Sequence, residues 1–228
     1  MHSTPALAFD VYGTLVDPIG ISAQLARHLP GEVAGRVAEV WRRKQLEITF
    51  RLTAMGRYED FEWCTRRALT YALAHAGHEL PASIQDSLIA RYDHLDPFPD
   101  AAPGLARLRT EGYLLAAFSN GTPAMLAAVL AATGLREHFD EVISVDEVRV
   151  FKPSPLTYHH AARRLDRAPS AVRLISSNPF DIIGAEAAGL RAAWIDRTGG
   201  AFEADGTPPD VVVTTLTDLA DRLGRGAG

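Results

Sequence analysis

The sequence predicts an α/β protein in which a Rossmann-like parallel sheet is interrupted by an all-helical insertion. Two patterns support this class. A short apolar run at residues 6–9 is typical of a buried strand, and the residues that follow it carry apolar side chains at helical spacing. After residue 98, strand and helix patterns alternate almost to the end of the chain. Such alternation indicates parallel strands joined by right-handed crossovers.

Composition limits the functions to consider. The chain has 228 residues, of which 47% are hydrophobic, enough for one core and a smaller inserted domain. Its net charge of -5 is dispersed, so we expect neither nucleic acid nor a membrane as partner. A single cysteine, Cys64, excludes an internal disulfide. With neither a leader of signal type nor an apolar run of membrane-spanning length, the sequence predicts a cytoplasmic protein.

The elements follow in order. After the strand at residues 6–9, helical patterns occupy residues 21–29, 33–50, 58–76 and 84–92, separated by Pro and Gly residues typical of turns and helix ends. The proline-rich segment 96–104 cannot continue a helix. We therefore expect a core domain made of residues 1–16 and 98–228. A helical cap domain of residues 17–97 would then lie over the carboxyl end of the sheet.

The second half of the chain alternates regularly. Helices are predicted at residues 104–111, 123–133, 155–165 and 180–189, and strands at residues 114–118, 141–144, 173–175, 192–195 and 211–213. The Gly-rich residues 223–228 are predicted to form a frayed tail.

Residues able to carry chemistry follow the predicted strands. Asp10 comes directly after the first strand, Gly13 allows the chain to turn, and Thr14 offers a hydroxyl that can orient the carboxylate. In a doubly wound sheet the carboxyl ends of the strands converge on one crevice. A nucleophile, polar donors, an ammonium and a second carboxylate would meet there, which predicts covalent catalysis by a carboxylate. The other polar residues after strands are Ser119, Asn120, Lys152, Ser176, Ser177, Asn178 and Asp181.

Six motifs resemble the haloacid dehalogenase superfamily and, within it, the (S)-2-haloacid dehalogenases. Segments 9–15 and 151–153 mark the superfamily, whereas segments 41–47 and 176–181 are specific to the dehalogenases. Segments 118–121 and 143–146 complete the set. The resemblance extends from Phe9 to about Asp196.

Two positions separate this sequence from the phosphatases of the superfamily. Those enzymes carry a second carboxylate where Tyr12 stands, and they use acidic residues in the segment that here begins with Ser176, Ser177 and Asn178 to hold Mg²⁺. Lys152 would then be the main positive charge beside Asp10. The resemblance therefore implies an enzyme without a metal or another cofactor.

The resemblance also implies a mechanism. Asp10 attacks C2 of a small 2-haloacid opposite the halogen, inverting its configuration, and water then hydrolyses the resulting ester. The implied catalytic residues are Asp10, Thr14, Arg42, Ser119, Asn120, Lys152, Tyr158, Ser176, Asn178 and Asp181. Thr14 and Ser176 would hold Asp10 and Lys152, while Asn178, Asp181 and Lys152 would position the water.

Substrate contacts are implied in the same way. The halide would lie against Arg42, Asn120 and the edge of Phe180. The carboxylate would lie against Ser119 and the backbone near Val11 and Asn120. The apolar wall would consist of Tyr12, Leu46 and Phe61. Relatives of this kind often form homodimers, and we expect one here.

Some features leave alternatives open. The basic run 42–44 is also typical of an exposed helical face. Arg43 replaces the Gln usual in the family, and Ile48 stands where Tyr is frequent. The competing hypotheses are a metal-dependent phosphatase of the same fold and a binding protein of that fold without turnover.

Overall fold

A computed structural model describes residues 5–203 and 208–224. Its centre is a six-stranded parallel sheet with the order β3-β2-β1-β4-β5-β6. The strands are β1 Ala6–Phe9, β2 Leu114–Ser119, β3 Glu141–Ser144, β4 Val172–Ser176, β5 Arg191–Ile195 and β6 Val211–Val213. The strand order reverses at β1, which is buried along its whole length. Ligands of open α/β sheets bind beyond the strand ends at such a reversal.

The helices divide into two groups. Four lie in the chain between β1 and the first helix of the core: α1 Ser22–Leu25, α2 Gly31–Ala54, α3 Phe61–His75 and α4 Ala82–Ala90. Five accompany the sheet: α5 Ala101–Thr110, α6 Pro123–Ala132, α7 Pro155–Arg164, α8 Pro179–Ala187 and α9 Leu216–Gly224. The prediction of a parallel α/β fold with a helical insertion after the first strand is confirmed. Across the described ranges, no helix combines the length and apolar character that crossing a membrane requires.

Local signals explain where several helices begin. α3 starts at Phe61 because the Asp60 carboxylate accepts the amide of Trp63 at 2.7 Å, so the predicted start at residue 58 was three residues early. α6 starts at Pro123, and the Thr122 hydroxyl accepts the amide of Met125 at 3.2 Å. A proline in the first helical turn loses no hydrogen bond, so this sequence favours a sharp start.

The carboxyl-terminal prediction needs a correction. Leu223 and Gly224, predicted to be frayed, belong to α9, and the rest of that tail lies outside the described residues. The helix forms because Leu216, Leu219 and Ala220 share a face that is buried against the core. That helical spacing was visible in the sequence.

Two connecting segments join the sheet to the helical insertion, and they run side by side. Val16 and Pro97 form an antiparallel bridge. The amide of Asp17 donates to Asp96 O at 2.9 Å, and the amide of Phe98 donates to Leu15 O, also at 2.9 Å. We call residues 15–17 and 96–98 the paired connectors. They fix the point at which the insertion leaves and rejoins the sheet.

Candidate active site

Asp10 is the first residue beyond the central strand. Phe9 pairs with Ala117 of β2 and Ile175 of β4, so the residues that follow all three strands meet at one edge. Asp10 is 6% exposed. Its Oδ2 accepts hydrogen bonds from the Thr14 hydroxyl at 3.0 Å and from the Asn178 amide at 2.7 Å. These two donors hold the carboxylate in one orientation, as the sequence predicted for Thr14.

Lys152 is buried beside this carboxylate with 1% exposure. Its ammonium lies 3.4 Å from Asp10 Oδ1, 2.9 Å from Asp181 Oδ2 and 2.9 Å from the carbonyl of Phe118. A buried ammonium requires such acceptors, because an unpaired charge away from water is costly. The structure therefore brings Asp10, Lys152 and Asp181 together, although they are far apart in sequence.

Asp181 is fully buried, and both its oxygens are engaged. Oδ1 accepts the Tyr158 hydroxyl at 2.7 Å, and Oδ2 accepts Lys152. Burial raises the pKa of Asp181 above the ordinary aspartate range; the Lys152 charge opposes this rise and the Asp10 charge adds to it. Burial likewise raises the pKa of Tyr158 well above the usual phenol value, so it donates as a neutral hydroxyl. A carboxyl with a raised pKa is suited to general base catalysis.

Tyr158 reaches Asp181 because α7 and α8 approach closely at Gly184. A Cβ built at Gly184 would lie 2.6 Å from the Tyr158 hydroxyl oxygen, which is well inside a normal contact. Only glycine leaves this space free. Gly184 therefore helps to place Asp181, and the sequence analysis did not select it.

Arg42 extends from α2 of the helical insertion to the loop after β1. Its Nη2 donates to Tyr12 O at 2.9 Å and lies 3.5 Å from Asn178 Oδ1, while its Nη1 donates to Gln45 Oε1 at 2.9 Å. Asn178 in turn donates to Asp10. The guanidinium is thus linked to the Asp10 carboxylate through one amide side chain.

Gln45 holds Arg42 directly and Thr65 holds Gln45, and the sequence analysis missed both roles. The buried Gln45 donates to the Thr65 hydroxyl at 2.6 Å, and the buried Thr65 donates to the carbonyl of Phe61 at 2.7 Å. Gln45 is three residues after Arg42, so both lie on the same face of α2. A polar side chain on the apolar face of a predicted helix was the available signal.

Three smaller polar residues order the loops around the site. Asn120 Oδ1 accepts the backbone amide of Lys152 at 3.1 Å, and Ser119 Oγ accepts the amide of Gly121 at 3.1 Å. Ser176 was expected to hold Lys152, but its hydroxyl accepts the amide of Asn178 at 3.1 Å instead. The reason is local, because Ser176 ends β4 and its hydroxyl reaches the amide two residues ahead.

Aromatic residues surround the site. The Tyr12 ring lies 5.7 Å from Phe61 and 6.0 Å from Tyr92, as expected for an apolar wall. Burial raises the pKa of Tyr12, and its buried hydroxyl has no hydrogen-bond partner within the described part of the chain. Phe180 packs edge-on against Phe50 of α2 at 4.9 Å. Leu46 is half-buried on α2, and Val11 is fully buried.

A cavity of about 390 Å³ lies next to these groups. Arg42, Asn178 and Gly13 line it together with Ile19, Trp194 and Arg197. It therefore connects the site to the segment that begins the helical insertion and to the loop after β5.

Comparison with known proteins assigns the family. The model of the haloacid dehalogenase-like hydrolase family matches residues 4–189. The chain belongs to this family. An (S)-2-haloacid dehalogenase of Pseudomonas sp. (strain YL) is 38% identical over 229 residues, covering 100% of this chain and 98% of that protein.

Solved structures support the same family assignment. The L-2-haloacid dehalogenase of Xanthobacter autotrophicus superposes with a TM-score of 0.91 at 38% identity, over 99% of this chain and 100% of that chain. A structure of the same enzyme with chloropropionic acid covalently bound has a TM-score of 0.89 at 37% identity, with the same coverage.

Two departures from the dehalogenase pattern can now be placed. Within the basic run of α2, Arg42 faces the site, Arg43 is exposed, and Lys44 pairs with Glu47 at 2.5 Å. The run is therefore partly a solvated helical face, with one inward residue. Ile48 is buried in the core and makes up part of the apolar face of α2.

The groups around Asp10 do not form a set of metal ligands. Tyr12 turns its ring into an aromatic cluster, and Asp181 has both oxygens engaged by Lys152 and Tyr158. Among residues 5–203 and 208–224, no group of three His, Cys, Asp or Glu side chains is arranged to hold a metal ion. The residues present thus do not fit the Mg²⁺ site of the family's phosphatases.

Proposed function

We propose that this protein is an (S)-2-haloacid dehalogenase, a hydrolase that converts short-chain (S)-2-haloalkanoic acids to (R)-2-hydroxyalkanoic acids through an ester on Asp10. The observation that carries the proposal is the arrangement of Asp10, with Oδ2 held by Thr14 and Asn178 and Oδ1 facing Lys152. The relative with covalently bound chloropropionic acid supports the covalent route.

In the first step, Asp10 displaces the halide from C2. Thr14 and Asn178 occupy Oδ2, so Oδ1, with only the longer contact to Lys152, is the oxygen suited to attack. Negative charge moves from this oxygen to the departing halide. A fixed donor is most effective where charge develops, since it needs no reorganisation during the reaction. Arg42 supplies that donor, and Asn120 and the edge of Phe180 complete the halide site.

The other substrate groups have complementary neighbours. Ser119 and the backbone near Val11 and Asn120 bind the carboxylate, and Tyr12, Leu46 and Phe61 enclose the alkyl group. A wall of this type limits the length of the side chain at C2.

In the second step, water attacks the carbonyl carbon of the Asp10 ester. Asp181 accepts the proton from that water, Lys152 stabilises the negative charge on the tetrahedral intermediate, and Asn178 orients the ester. The bond between the carbonyl carbon and the substrate oxygen then breaks, and the departing alkoxide takes the proton held by Asp181 and leaves as the hydroxyacid. Asp10 is left as a carboxylic acid and loses its proton to solvent, which regenerates the carboxylate. Tyr158 and Ser176 keep Asp181 and Asn178 in place.

The pH dependence of ester hydrolysis follows from Asp181. A protonated Asp181 cannot accept a proton from water, so the hydrolysis rate should fall as pH falls through its pKa. Because burial raises that pKa, we expect the acid limb above the ordinary aspartate value of about 3.9. Acid quench and mass spectrometry of the decaying Asp10 ester at each pH would measure the hydrolysis rate. A limb at or below the ordinary value would contradict the base role.

Halide release from the separate enantiomers of 2-chloropropionate tests the activity itself. We expect the (S) enantiomer to yield chloride and (R)-lactate, the (R) enantiomer to be inert, and EDTA to have no effect. Loss of activity with chelator and recovery with Mg²⁺, or turnover of p-nitrophenyl phosphate, would favour the phosphatase. Substrate binding without turnover would favour the binding protein of the same fold that has no catalytic activity.

We infer further that residues 17–97 form a cap domain over a core of residues 1–16 and 98–228. The paired connectors support this division, since both crossings lie at one place. The resemblance also implies a cytoplasmic location and a homodimer. Light scattering on the purified protein would test the dimer.

A further inference from the structure

We propose that Arg197 is a positioning residue for the nucleophile, acting on Asp10 through the backbone of Thr14. The role concerns the reaction given under the proposed function and rests on it. Arg197 follows the end of β5, where the loop after the strand passes the start of the helical insertion. The sequence motifs of the dehalogenases did not draw attention to it.

The first support is the contact with Thr14. Arg197 donates to the carbonyl of Thr14 from Nη2 at 2.6 Å and from Nε at 3.2 Å. The Thr14 hydroxyl donates to Asp10 Oδ2 at 3.0 Å and accepts the amide of Ser177 at 2.9 Å. One residue therefore meets Arg197 with its carbonyl and Asp10 with its side chain. A shift of the Thr14 backbone would move the hydroxyl that orients the attacking carboxylate.

The second support is the anchoring of Arg197 itself. Its Nη1 and Nη2 donate to the two carboxylate oxygens of Asp100 at 3.0 and 3.2 Å, and its Cζ lies 3.9 Å from the ring centre of Phe98. Asp100 also accepts the amide of Leu216 at 2.6 Å. The planar guanidinium provides this forked pairing and stacking together, which a lysine ammonium cannot do.

These contacts join both ends of the helical insertion. Thr14 directly precedes the outgoing connector, whereas Phe98 ends the returning one. The Arg197 and Asp100 side chains are only 12% and 13% exposed, so solvent screens the pair weakly. Arg197 thus fixes the paired connectors relative to the sheet at a distance of two hydrogen bonds from Asp10.

An ion pair in this position could contribute to stability alone. A control substitution at a second ion pair distinguishes a loss of stability from a loss of positioning. Arg173 pairs with Asp210 at 2.6 Å and is 13% exposed, close to the value for Arg197. It lies in β4 opposite Leu7 of β1, away from the carboxyl edge of the sheet. Arg173→Met therefore removes an ion pair whose arginine is about as buried as Arg197, although its partner Asp210 is 47% exposed, and this pair has no link to Asp10.

The experiment compares Arg197→Met, Arg197→Lys and Arg173→Met with the unaltered protein at a temperature where all are folded. We expect Arg197→Met to lower kcat about tenfold to hundredfold with little change in KM, because small misplacements of reacting groups are costly. The loss should fall on the rate of ester formation in a single turnover, and added methylguanidine should restore part of it. Arg173→Met should keep kcat while its Tm falls.

Wild-type kcat in Arg197→Met would overturn the proposal. If Arg197→Met does not fold, Arg197→Lys decides: reduced kcat supports the role, and full activity refutes it. If the unaltered protein releases no halide, the dehalogenase assignment fails by itself. Amide hydrogen exchange then tests whether Arg197 fixes segment 10–17, because the measurement does not depend on catalytic activity. Faster exchange of segment 10–17 in Arg197→Met but not in Arg173→Met supports the proposal, and equal exchange rejects it.

Discussion

Arg42→Ala should lower the rate of halide release about 100-fold or more, because a single well-placed donor to developing charge contributes that much. The side chain reaches from α2 to the carbonyl of Tyr12 and is held from behind by Gln45. Its charge is therefore in place before the substrate reacts. Stopped-flow measurement of ester formation with (S)-2-chloropropionate would isolate the step that the substitution affects.

The adjacent arginine provides the control. Arg43 is exposed on the same helix, so Arg43→Gln removes an equal charge from α2 while leaving the site intact. We expect turnover close to that of the unaltered protein. Equal and small effects of the two substitutions would mean that the whole basic run is a solvated face, and the halide would then need another cationic partner.

The fold and the centre of the site were predictable because each rests on a local signal. The apolar run before Asp10 marks β1, and the Gly and Thr that follow mark the turn that places the carboxylate. Lys152 and Asp181 each follow a short strand or its loop, and the topology of a parallel sheet brings such positions to one edge. Their meeting at Asp10 therefore needed no knowledge of side-chain packing.

What the sequence did not predict depends on contacts between distant elements. Gln45 and Thr65 hold Arg42 only because α2 and α3 pack face to face, and neither residue has a local pattern that specifies the pair. Gly184 matters because a Cβ at this point of α8 would lie 2.6 Å from both Pro153 and the Tyr158 hydroxyl. Ser176 was assigned to Lys152 by analogy, whereas the nearer Asn178 amide satisfies it.

Arg197 belongs to the same group. In the sequence it is one basic residue in a Gly-rich loop, with nothing to distinguish it from a solvated side chain. Its partners Thr14 and Asp100 are far from it in the chain, and only the folded structure brings the three together. Positioning residues of this kind are found from geometry.

The largest effect is expected at Asp10, where isotope labelling and one substitution test the covalent route together. In that route water attacks the carboxyl carbon of Asp10, so the oxygen delivered to the first product was already in the side chain. With enzyme in excess over (S)-2-chloropropionate in H₂¹⁸O, the label should appear in the peptide containing Asp10. The first lactate should carry none, whereas direct attack by water would label it at once.

Asp10→Asn should abolish ester formation, since a neutral amide is a poor nucleophile and Lys152 would lose one of its two anionic partners. Lys152→Ala should impair the same step, because two buried carboxylates would then face each other without a cation. In the Arg43→Gln variant, the ¹⁸O label should appear in the Asp10 peptide and be absent from the first lactate, as in the unaltered protein. Label in the first lactate and none in the Asp10 peptide would reject the covalent mechanism, while the family assignment, which rests on sequence and fold, would stand.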